Sequence, residues 1–519
     1  MKYIKFIKLF LLLIIVSVVF LQCNNASDSA VSNKLVSTDS SAQQTDTSLV
    51  SLPFTITFAI RKYNPSLPPL PKLQSYAVSM WKQYLIVSGG RRQGLHTFQQ
   101  APAQNFIPDS ANNYIYLINP STGVFTSFNV NTLPANLSAP LQATNQQSYY
   151  DASTDYFYII GGYGWDPQKN NMVTFNTIMR YKVDSMGNAL ASNPTPAKIA
   201  SLIQISTDDR FAVTGGELYK MGPQFYLVFG QRFDGQYRAF GGDSSFTQKY
   251  TEEVRVFTLK PNSLQILSYG ATTNSEKDQP FHRRDGNTIP DIDPATGTPR
   301  ITAFGGVFTP GIIGAYTYPV YITGPGTPTL NRNASQKFSQ YECPVVSLYD
   351  SVRKTISHNF FGGISHYYYS QVDSQIIVYN IATQEGRNDG FPFIADVSTY
   401  VQKADGSYSE YIQLKHTTAS NRLLGASIPF IINRNLINSG QAYSNGVIKL
   451  SRLSPTTPTS VGYIYGGIEA QNPLPLYPNT GTFVSNTVFE VYVSPTSSQV
   501  RPASAGHEST KDNRNLKRE

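Results

Sequence analysis

The sequence predicts an all-β chain, and three observations predict it. Aromatic residues and turn formers are abundant (34 Tyr, 29 Phe, 37 Gly, 33 Pro), while only 14% of residues are charged. Aromatic and β-branched side chains suit pleated, half-buried surfaces, and Gly and Pro mark many turns. Long stretches of Ala, Leu, Glu and Lys, the helix formers, are absent. An apolar run closed by glycine also recurs along the chain at a coarse, regular interval.

Taken in order, the amino end comes first. Lys2, Lys5 and Lys8 precede an almost unbroken apolar stretch from Leu9 to Leu21. That stretch is too short to span a hydrocarbon core comfortably and has the form of a signal-peptide core, so residues 1–22 are expected to direct export. Cys23 follows directly. A cysteine at that place resembles the lipobox of bacterial lipoproteins, although Gln22 stands where the pattern has a small residue. The resemblance implies lipid on Cys23 and attachment to a membrane. Residues 23–52, rich in Ser, Thr, Asn, Gln and Asp, have little to bury and are expected to form a flexible tether. Residues 496–519 read as a disordered, charged tail.

The body, 53–495, carries the repeat. Its copies are Tyr84–Gly90, Tyr156–Gly162, Phe225–Gln231, Ile301–Gly306, His358–Gly363 and Val461–Gly467. They are spaced by about 60 to 75 residues, except for a last gap of about 104. Each is followed by a second apolar strand: Tyr114–Ile118, Ile178–Val183, Val254–Leu259, Pro319–Ile322, Ile376–Asn380 and Val488–Val493. A three- or four-stranded unit repeated six times is the signature of propeller blades, which bury their faces only against each other and so close into a ring. The alternating segment Phe54–Ile60 is expected to join the last blade and fasten that ring. The long gap is read as an insertion over Phe391–Lys449, with a degenerate seventh blade as the alternative.

The pattern resembles kelch repeats over nearly all of residues 54–493 and implies a six-bladed kelch-like β-propeller. Three departures stand out. The tryptophan usual late in each repeat is missing, since Trp81 and Trp165 are the only two; Gly230-Gln231 breaks the third doublet; and the units are long.

Chemistry is sparse. There is no nucleophile elbow, phosphate-binding glycine loop or zinc-protease signature. The histidines (His96, His282, His358, His366, His416, His507) never pair at ligand spacing, so neither metal nor cofactor is expected. Cys343 is the only cysteine besides Cys23 and reads as a core thiol. The net charge of +8 falls to +5 without the three signal lysines, and no Lys/Arg stripe interleaved with aromatics appears, so nucleic acid is not an expected partner.

What remains is a binding face. Loops after the glycine pairs and loops linking blades should converge around the channel. They carry Arg91, Arg92, Tyr163, Trp165, Arg232, His282, Arg283, Arg284 and His366. Guanidinium groups beside flat aromatics suit carboxylated or phosphorylated ligands and stacked sugar rings. The plain alternative for Arg283 and Arg284 is an inter-blade contact with Asp285. The expected function is a non-catalytic recognition module of the cell envelope, outer membrane included, binding a protein or glycan. The alternatives are an enzyme acting on an acidic sugar with the Arg/His group, and a structural envelope component.

Overall fold

The computed structural model describes residues 49–96, 105–237, 246–310, 314–370, 375–378, 391–413, 425–472 and 481–503. The signal, Cys23, most of the tether and His416 and His507 lie outside them. The chain is arranged as a β-propeller, and five four-stranded blades are seen.

The first blade runs Ala77–Trp81, Tyr84–Ser88, Tyr114–Ile118 and Phe125–Asn129; the second, Gln147–Asp151, Tyr156–Ile160, Thr177–Lys182 and Gln204–Thr207. The third uses Glu217–Met221, Gln224–Val228, Glu253–Leu259 and Ile266–Thr273, and the fourth Asn287–Ile292, Pro299–Phe304, Val320–Ile322 and Pro328–Leu330. In the closing blade, Phe430–Ile432, Thr459–Tyr465 and Val488–Ser494 take their outermost strand from the start of the body. There Thr55–Ile60 pairs antiparallel with Val488–Ser494, from Thr55 opposite Ser494 to Ile60 opposite Phe489. Alternation explains the fit: Phe54, Ile56 and Phe58 are buried, whereas Thr55 and Thr57 are less so. Phe58 meets Phe361 and Phe489 edge-to-face at centroid distances of 5.5 and 5.6 Å.

Between the fourth and closing blades lies a seven-stranded sheet. Its central strands are Val345–Asp350, Thr355–Phe361, Val397–Lys403 and Tyr408–Gln413. This corrects the sequence reading. Ile376–Val378 is not the third strand there; Gln375–Val378 pairs with Tyr367–Ser370 as a separate hairpin. Val397–Lys403 takes the place instead, pairing with Thr355–Phe361 on one side and Tyr408–Gln413 on the other. Hydropathy hid it because its polar groups are satisfied internally: Thr399 Oγ1 donates to Asn359 Oδ1 at 2.7 Å and Ser398 Oγ to Gln340 Oε1 at 2.5 Å. The stretch 391–449 therefore supplies strands to two sheets. Among the described residues it forms no four-stranded unit of its own.

Two boundaries also shift. Val50–Leu52, expected in the tether, pairs with Ser498–Pro502, expected in the tail, and the latter pairs with Tyr408–Gln413. The open edge of that strand supplies unpaired backbone groups, and Leu52 and Val500 are both buried.

The glycine pairs turn the chain at the inner end of each second strand. Both members have positive φ, as in Gly161 (62°) and Gly162 (88°), and a Cβ on Gly161 would stand 2.1 Å from the Val213 carbonyl oxygen. The broken third doublet is in register one residue earlier: Phe229 (56°) and Gly230 (85°) adopt the same pair of conformations. Phe229 is buried and packs on Phe281 at 5.1 Å. Phe229→Gly relieves a left-handed penalty of about 1–2 kcal/mol but removes a buried ring whose loss costs about 3–5 kcal/mol. Net destabilisation of about 2 kcal/mol is expected in chemical denaturation. A stabilised variant would show that backbone strain outweighs packing there.

Candidate functional site

The glycine-pair loops build a second layer on one face. Four of them fold as two-stranded hairpins: Tyr163–Asp166 with Asn171–Thr174, Gln231–Gly235 with Phe246–Tyr250, Tyr367–Ser370 with Gln375–Val378, and Ile468–Ala470 with Thr482–Val484. Side chains tie neighbouring loops together. Thr174 Oγ1 donates to the Phe233 carbonyl at 2.7 Å, Tyr163 OH to Gly235 O at 2.6 Å, and Asn105 Nδ2 to Tyr237 O at 2.7 Å.

The residues expected to bind ligand divide by depth. Arg91 is buried, donating to Gln93 Oε1 and Ile107 O and standing 4.8 Å over the Phe106 ring. Phe106 packs edge-on against Tyr163 and Tyr237 at 5.3 and 5.2 Å. Arg284, also buried, stands 4.9 Å over Phe308 and holds Asp285 at 3.6 Å. Phe308 packs on Phe391, which packs on His366. Tyr237 is also a hydrogen-bond partner of Arg284, so these two aromatic groups meet. Arg91, Tyr163, Arg284 and His366 thus belong to one connected inner layer. Arg92, Trp165 and Arg232 lie at the surface: Trp165 is 39% exposed, Arg92 donates to Asp109 O at 2.6 Å, and Arg232 pairs with Asp234 at 2.7 Å. His282 stacks on Tyr250 at 3.7 Å with Glu252 on its Nδ1 at 2.5 Å.

Arg283 goes elsewhere. Its guanidinium donates to three backbone carbonyls, Pro280, Gly305 and Tyr318, at 2.7, 3.0 and 2.8 Å, fastening the third-to-fourth blade link. Lysine cannot reproduce that fork. Arg283→Lys is expected to lose about 3 kcal/mol, since hydrogen bonds of charged groups contribute roughly 1.5–3 kcal/mol each. Unchanged denaturant midpoints would refute the role.

Repeat counting missed the innermost links. One residue in each takes left-handed φ: Ser75 (52°), Asn145 (50°), Gly215 (66°), Asp285 (53°), Glu342 (48°) and Ser427 (57°). The first four are spaced by about 70 residues, a signal visible once repeats are aligned on the innermost strand. These residues ring a cavity of about 380 Å³, which Glu217, Tyr149, Tyr219 and Ser347 also line. Arg434 and Asn445, from the insertion after Phe430–Ile432, lie along it too. They donate to Met80 O and Asp291 O, so the insertion spans from the first blade to the fourth.

The cavity gathers carboxyls. Burial, with Asp285 nearby, pushes Glu217 up to about 8. Burial also raises Glu342 well above the ordinary range, and it hydrogen-bonds the Asp285 carboxyl, so the two share a proton. Ser427 Oγ donates to Glu342 Oε2. Nearby, Ser347 Oγ meets His358 Nδ1 at 2.9 Å, and His358 Nε2 stands 3.4 Å from Asp291. Arg300 and Thr302 each donate to Asp291 at 2.5 Å. With Arg300, the trio acts as a staple between the fourth blade and the seven-stranded sheet. Among the described residues no group of three His, Cys, Asp or Glu side chains could hold a metal.

No protein-family model matches the chain, and no curated protein does. Among solved structures it is similar to one titled "Structure of YjhT", at 11% identity and a TM-score of 0.42, over 81% of this chain and 99% of that one.

Proposed function

We propose that the protein is an exported, lipid-anchored recognition module: a six-bladed kelch-like propeller that binds a glycan or protein on its loop face. The observation that carries the reading is the hairpin layer. Loops cross-tied by Tyr163, Thr174 and Asn105 present Trp165, Arg92 and Arg232 from a fixed base, which lowers the ordering cost of binding. An exposed indole and exposed guanidinium groups carried on this layer suit a sugar face and its acidic substituent. The count of six rests on taking the four central strands of the seven-stranded sheet as a blade. Support comes from the innermost links, where the same left-handed residue recurs once per unit. Export and lipid on Cys23 rest on the leader sequence.

The placement of the Arg/His group favours recognition over catalysis. Arg91, Arg92, His282 and Arg283 do not line the carboxyl-bearing cavity, and Arg284 reaches its carboxyls only through the ion pair with Asp285. The test is a glycan array probed with the soluble body, residues 47–503, beside a Trp165→Ala/Arg92→Ala variant of equal stability. Selective binding to acidic glycans, lost in the variant, is expected. A blank array removes the glycan reading, and crosslinking in the native envelope then tests for a protein partner.

A further inference from the structure

The left-handed residues around the cavity also form a chain of backbone hydrogen bonds. Ser75 N donates to Ser427 O at 2.8 Å, Asn145 N to Ser75 O at 3.1 Å, Gly215 N to Asn145 O at 3.4 Å, Asp285 N to Gly215 O at 2.9 Å, and Ser427 N to Glu342 O at 2.7 Å. One link is missing from the circle. Glu342 N makes no such bond to Asp285 O, although both residues have the same backbone conformation as the others. At that gap, between the fourth blade and the seven-stranded sheet, the two side-chain carboxyls meet instead.

We propose that the Asp285–Glu342 carboxyl pair is a protonation-controlled latch that closes this ring where the backbone does not, and that loss of the shared proton opens it. The charges around the gap support this. Arg284 faces Asp285 at 3.6 Å from the same link. Glu217 faces it from the innermost strand of the third blade. Ser427 contributes a hydroxyl to Glu342, while Ser75, Asn145 and Gly215 bring no charge. The neighbouring Cys343 thiol is pushed up to about 12 by burial and stays neutral. Tyr149 and Tyr219, which also line the cavity, are raised by burial and stay neutral as well. One guanidinium balances one carboxylate. With Glu342 protonated the pair is balanced and hydrogen-bonded; once it ionises, two like charges stand in contact with a single counter-charge, and Glu217 adds a third carboxylate near pH 8. Separation of the two links, with water entering, is the cheapest relief.

Hydrogen exchange read by mass spectrometry on the folded protein at pH 5.5 and 8.5, corrected for intrinsic rates, tests the latch. Peptides over 283–289 and 340–346 are compared with the second-blade strand 156–160 as internal reference. At pH 8.5 the two link peptides should exchange about tenfold faster relative to the reference, the factor set by one pKa unit. Glu342→Gln, whose amide still donates to Asp285, should abolish the difference, and Glu410→Gln should leave it in place. Equal relative protection at both pH values, or a difference that persists in Glu342→Gln, overturns the proposal. Should Glu342→Gln fail to fold, Asp285→Asn in the same measurement decides.

Discussion

A chain beginning at Arg61, lacking the strand Thr55–Ile60, is expected to lose cooperative unfolding, whereas one beginning at Thr47 should melt like the full-length protein. The strand makes six residue pairs with Val488–Ser494, and its Phe54, Ile56 and Phe58 belong to a cluster reaching the seven-stranded sheet. Its removal bares the Val488–Ser494 edge and leaves Phe361 and Phe489 without their edge-to-face partner. Because each blade covers its apolar faces only with its neighbours, a breach at one junction is not local. The finer form is Phe58→Ala, which should cost about 3–5 kcal/mol, the usual range for a buried phenylalanine. Calorimetry reads both. A single sharp transition in the chain beginning at Arg61 would show that the ring holds without its fastening strand.

The second large effect is with pH. Glu410 is 5% exposed and accepts the backbone N–H groups of Lys337 and Phe338. Burial nonetheless pushes it up to about 8. Burial likewise pushes Glu217 up to about 8 and Asp396 to about 6. The native state therefore holds protons that the unfolded chain releases, so stability is fully present below pH 4.5 and declines as pH rises towards 8. Asp291 works the other way. Although burial opposes it, Arg300 and His358 hold it down at about 2, so its contribution is lost as pH falls from about 4 to 2. Together these place the stability maximum in mildly acidic solution, near pH 4 to 5. Between pH 5 and 8 Glu410 alone accounts for a loss on the order of 4 kcal/mol, at roughly 1.4 kcal/mol per pH unit. Denaturant melts across that range check it, and a midpoint that rises with pH would reverse the assignment.

Both effects bear on what the sequence could tell. The fastening strand was legible because a two-residue period with buried Phe54, Ile56 and Phe58 leaves one sensible face. Five glycine pairs were legible because two consecutive positive φ values favour glycine strongly. Phe229 was not, since a packed aromatic ring holds the same conformation there. The Val397–Lys403 strand was hidden by Ser398, Thr399 and Gln402, whose partners come from segments distant in sequence. For the loop face, sequence placed Arg91, Tyr163, Arg284 and His366 in a common region but could not say that the first three would be buried. It also could not foresee three carbonyls converging on Arg283. The carboxyls of the cavity were missed for a plainer reason: single acids at the start of innermost strands look like ordinary turn residues until six separate links are brought together.

The pairing of Val50–Leu52 with Ser498–Pro502 has a mechanical consequence. The two ends of the body leave from adjacent strands at the outer margin of one sheet, Val50 directly opposite Val500. A pull on the amino end therefore reaches three residue pairs first and the six of Thr55–Ile60 next, so the short ladder acts as a fuse in series with the fastener. Under tension Val50–Leu52 would be freed before any blade is strained, while Ser498–Pro502 stays paired with Tyr408–Gln413. A weight hung at either end would be felt at the same corner of the molecule.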